Sequence, residues 1–123
     1  MALAKGRQEM LVCTVHNISD GRVQLDRFWM SAPLLMTLYK EDGVRVPELP
    51  PPFPRRDDEP ADVAALLPNE RLVIEIPLRT LSPYRAQVAR YWAVADCTEP
   101  PQAGVRQGLW SGRAISNALL IEE

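Results

Sequence analysis

Glu70-Arg71-Leu72-Val73-Ile74-Glu75-Ile76-Pro77-Leu78 is the stretch that decides the fold class of this 123-residue chain. Leu72, Ile74, Ile76 and Leu78 share one face at a period of two, while Val73, Glu75 and Pro77 take the other. That is the pattern of a strand with one buried and one partly wet side. A helix would set Ile74 and Ile76 about 200° apart, so helical spacing fits poorly. The proline near the end suits a strand end or a sheet edge, because it brings no N–H to the ladder. The run at 85–96 reads as a further strand, with Ala86 and Val88 on one face and Tyr91-Trp92 disturbing the period.

Working outward, residues 8–16 form a first long strand with Leu11, Cys13 and Val15 inward, and Asn17-Ile18-Ser19-Asp20-Gly21 is a turn. The strand at 22–29 meets a bulge or a change of face at Phe28-Trp29. Leu34, Met36 and Leu38 mark a strand at 34–40, and Asp42-Gly43 after it is a hairpin signal. Residues 62–67 fit either a short helical turn capped by Asp62 or a brief strand. The last strand, 114–122, has Ile115, Leu119 and Ile121 spaced for one face, with Gly112 suggesting a bulge. About seven strands separated by turn signals predict an all-β chain, an antiparallel sandwich of two sheets forming one domain over residues 1–123. The irregular part is a long loop at 47–60, which holds six of the 12 prolines and the cluster Arg55-Arg56-Asp57-Asp58-Glu59.

Composition excludes several functions. A net charge of −2 and scattered arginines, without a basic block, argue against nucleic acid as a partner. No apolar run approaches the roughly 18 residues of a membrane span, so no membrane insertion is expected. The first ten residues lack an apolar core of a signal peptide, which reads as cytoplasmic; a periplasmic or secreted location is the alternative for a mature or trimmed form. The compartment sets the reading of Cys13 and Cys97: a bridge between facing sheets in an exported protein, two unpaired thiols in a cytoplasmic one.

The order of motifs resembles an immunoglobulin-like domain, the non-catalytic N-terminal module of some deuterolysin-type metalloendopeptidases, and more loosely small intracellular proteinase inhibitors of that fold. The residues carrying the likeness are Val15-His16-Asn17 with Ser19-Asp20, Trp29 with Pro33, Asp42-Gly43 with Val46-Pro47, and Arg56 before Pro60. It continues through Leu67-Pro68-Asn69-Glu70, Leu78, Tyr84 and Trp110-Ser111-Gly112-Arg113 with Ser116-Asn117. The resemblance implies an immunoglobulin-like sandwich with an accessory or inhibitory role.

No enzyme is expected. His16 is the sole histidine, it stands at a strand end, and a catalytic or zinc role would require converging partners. Met10, Met30 and Met36 read as core and not as soft copper ligands, no phosphate loop occurs, and no cofactor is implied. Two features suit binding to another protein. One is the proline-stiffened loop, with Phe53 as anchor and Arg55 and Arg56 for acidic groups; its plainer reading is a solvated crossover. The other is the set Trp29, Tyr91, Trp92, Trp110, Arg90 and Arg113, which is otherwise core. The expectation is a non-enzymatic interaction module that inhibits or modulates a protease or other enzyme. The alternatives are an accessory domain of a larger secreted enzyme or assembly, and carriage of a small ligand or metal by the sandwich; an unpaired edge strand could also support a homodimer.

Overall fold

The structure, a computed structural model, describes residues 1–46, 56, 58–84, 90–101 and 108–122. Eight strands run through them: β1 (Ala2–Lys5), β2 (Met10–His16), β3 (Val23–Asp26), β4 (Met36–Lys40), β5 (Val63–Leu66), β6 (Arg71–Pro77), β7 (Arg90–Glu99) and β8 (Gly112–Glu122). They form three antiparallel sheets in the orders β1-β2-β6, β3-β5 and β4-β7-β8. The chain is all-β and sandwich-like, and its buried apolar side chains make one cluster fed by every sheet, Leu11 and Ile76 from the first, Leu25 and Leu66 from the second, and Leu38, Tyr91 and Ile121 from the third.

The deciding stretch folds as its alternation requires. In β6 Ile76 is buried and Leu72 and Ile74 are half-buried, whereas Val73 and Glu75 are exposed. Asn69 enters the turn before it at a φ of 69°, a left-handed conformation that asparagine tolerates better than most residues. The Asp42-Gly43 turn also forms: Gly43 takes a φ of 87°, and Val44 N–H donates to Asp42 Oδ1 at 3.0 Å.

Several elements differ from the sequence reading. Phe28-Trp29 is no bulge but part of a 3-10 turn, Arg27–Met30, where Asp26 accepts the Phe28 N–H at 3.2 Å. Capping by Asp26 stops β3 after four residues, so β3 and β5 form a short sheet of their own. The ambiguous segment is that partner, β5. Leu34 belongs to a single helical turn, Ala32–Leu35, and β4 starts only at Met36. Tyr91-Trp92 does not break the period: Tyr91, Ala93, Ala95, Cys97 and Glu99 are buried, while Trp92 and Thr98 face out.

The bulge of β8 sits beyond Gly112, where the register with β7 shifts between Val94 and Asp96. Ser116 repairs the ladder there, its hydroxyl accepting the Ala95 N–H at 2.8 Å. Its neighbour Asn117 reaches β1, accepting the Leu3 N–H at 2.9 Å and donating to the Leu3 carbonyl at 3.0 Å. One carboxamide thus stands in for a peptide unit and ties the first sheet to the third. Asn117→Ala is expected to lower stability by about 1–3 kcal/mol, because both groups of a largely buried residue lose their partner. Hydrogen exchange at the Leu3 amide reads this directly, and unchanged protection would contradict it.

Candidate functional site

The outer face of β4-β7-β8 presents an apolar surface built from three contiguous strands. Residues opposite one another in antiparallel strands project to the same side. Tyr39, Trp92 and Leu120 therefore make a row across all three strands, and Thr37, Val94 and Ala118 make the next. Trp92 is 38% exposed and Ile115, opposite Asp96, is 50% exposed.

Ion pairs close the face at both ends. At one, Arg90 Nε lies 3.0 Å from Glu122 and 3.4 Å from Glu41. At the other, Arg113 clasps Asp96 through two hydrogen bonds, of 3.1 and 2.7 Å, and this guanidinium holds the Asp96 carboxyl below its ordinary range. An apolar centre with aromatic anchors inside a polar rim is the anatomy of a protein interface.

The residues singled out from the sequence divide among separate places. Trp92, Arg90 and Arg113 belong to this face. Trp29 packs on the core and meets Phe28 edge to face, with ring centres 5.0 Å apart. Trp110 also packs on the core, its ring lying 3.1 Å from where a Cβ on Gly112 would stand. Phe53 and Arg55 lie outside the described residues. Arg56 is exposed, with its Nε 3.8 Å from Asp58. Tyr39 and Leu120 join the face through strand register, which no local pattern encodes; Ile115 does not share the inward face of Ile121, because the bulge opposite 94–96 turns it outward.

His16 ends β2, where its Nε2 lies 2.8 Å from Asn69 Oδ1. Among the described residues, no three His, Cys, Asp or Glu side chains gather as metal ligands would. The same residues include no helix long and apolar enough to cross a membrane. Cys13 and Cys97 lie in β2 and β7, and both are buried free thiols. Burial pushes Cys13 up to about 11. Burial, then the negative charge of Glu99, takes Cys97 to about 12. Both are therefore protonated and poor nucleophiles near neutral pH. No protein-family model matches the chain, and no curated protein matches it.

Proposed function

We propose that this chain is a non-enzymatic module that binds another protein through the outer face of β4-β7-β8. The observation that carries this reading is Trp92, held in the open at the centre of a three-strand apolar row that is bounded by ion pairs. A strand that needs only the fold could carry a polar residue at that position, so a large ring left partly in water suits a partner. Scattered surface hydrophobes are ordinary, but a continuous band is what an interface requires. The paired arginines set orientation more than strength, since rim charges contribute little to affinity.

The resemblance to protease-associated immunoglobulin-like domains makes a protease or related enzyme the preferred partner, with an accessory role in a larger protein as the other reading. A second copy is the further candidate, because β6 pairs only with β2 among the described residues and offers its other edge. The test is capture of partners on immobilised wild type, Trp92→Ala and Phe53→Ala proteins. Loss of a partner, by tenfold or more in affinity, on Trp92→Ala alone is the expected result. A partner held equally by wild type and Trp92→Ala would remove this face from the account, and loss only on Phe53→Ala would transfer the role to the proline-rich loop.

A further inference from the structure

A cavity of about 320 Å³ opens beside the 17–21 turn, bounded by residues from all three sheets. Its walls are apolar, with Val15 of β2, Leu25 of β3, Leu66 of β5 and Ala114 of β8 joined by Met30 and Trp110. Among the described residues no Asp, Glu, Lys or Arg lines it, but Met1 does and brings the N-terminal amino group near. The polar corner, His16, Asn17 and Ser19, is already engaged. Asn17 Nδ2 donates to the carbonyls of Gly21 and Leu66 at 2.9 and 3.0 Å, and its Oδ1 accepts from the Ser19 N–H and hydroxyl. Cys97 at the cavity wall is a neutral thiol.

These features restrict the ligand. A cation entering here would lose water and find no carboxylate among the described wall residues, a heavy penalty in an apolar site. The volume falls in the range of about 300–1,000 Å³ that holds small molecules. An apolar cavity of about 150 Å³ stays dry and takes a benzene-sized guest, so roughly twice that space suits two fused rings. An indole and a thioether on the wall favour aromatic guests through ring–ring and sulfur–ring contacts. We propose that this cavity is a binding site for a small molecule of one or two aromatic rings that carries no positive charge, held by apolar contact. The site is separate from the Trp92 face and does not depend on it.

Calorimetric titration at pH 7 with 2-naphthol and with the cation 2-naphthylmethylammonium tests the proposal, since the two share their rings and differ in charge. Wild type is expected to bind 2-naphthol saturably and 2-naphthylmethylammonium at least tenfold more weakly. Two variants fill the space from different strands, Ala114→Leu and Val23→Phe, and each is expected to weaken 2-naphthol tenfold or more; Trp92→Ala is expected to bind like wild type. A thermal melt identifies a filled variant that has not folded, in which case the other variant and the charge comparison decide. Absence of saturable 2-naphthol binding, equal affinity for the two compounds, or unchanged affinity in a folded filled variant would each overturn the assignment.

Discussion

Tyr91→Ala is expected to lose about 3–5 kcal/mol of folding stability, the range for deleting a large buried ring. That is a large share of the 5–15 kcal/mol that holds a typical domain together. Tyr91 is 0% exposed in the central strand of β4-β7-β8, opposite Lys40 on one side and Ile121 on the other. A residue in a central strand is enclosed by both neighbours, so the hole left by the ring cannot collapse easily. The control is one position along the same strand: Trp92→Ala is expected to lose clearly less, about 1–2 kcal/mol, because 38% of that residue is already exposed. Denaturant unfolding of the two variants makes the measurement. Equal losses at both positions would contradict the in-and-out alternation on which the candidate site rests.

Alkaline pH is the second large lever. Cys13 and Cys97 ionise at about 11 and about 12 in the folded protein, against an ordinary thiol value of 9.0. The folded state therefore holds these protons more tightly than the unfolded state does. Stability from both thiols is fully present below pH 9 and is lost as pH rises, first toward about 11 for Cys13 and then toward about 12 for Cys97. Each raised value corresponds to a loss of up to about 1.4 kcal/mol per pH unit inside that window, so at pH 10.5 the pair together lowers stability by about 4 kcal/mol. Denaturant midpoints at pH 7, 9 and 10.5 follow the decline. A Cys13→Ala, Cys97→Ala double variant starts less stable, but its midpoint is expected to fall far less over the same range. Parallel declines in the two proteins would assign the effect to other groups.

What a reader of the sequence can see depends on how local the cause is. Leu72, Ile74 and Ile76 announce their buried face through spacing alone, and Asp42-Gly43 announces its turn through backbone freedom, so β6 and the hairpin after β4 are legible directly. β1 is not: Ala2-Leu3-Ala4-Lys5 has a single residue, Leu3, to bury, and what holds it is β2 on one side and the Asn117 carboxamide on the other, far away in the chain. The stop after β3 is a small local competition, in which the Asp26 side chain captures the Phe28 N–H and turns the chain before the pattern of apolar residues runs out.

The three tryptophans show the same division more sharply. Composition and strand pattern establish an all-β chain carrying rings suited to either a core or an interface, because the hydrophobic effect is indifferent to which neighbour removes a ring from water. Only the packing of the sheets sends Trp29 and Trp110 to the core, leaves Trp92 beside Tyr39 and Leu120 on the outside, and encloses the apolar cavity at the Asn17 end. Alternation along a strand specifies that adjacent side chains point opposite ways. Which way is inward is settled by the partner sheet, whose residues lie tens of positions away.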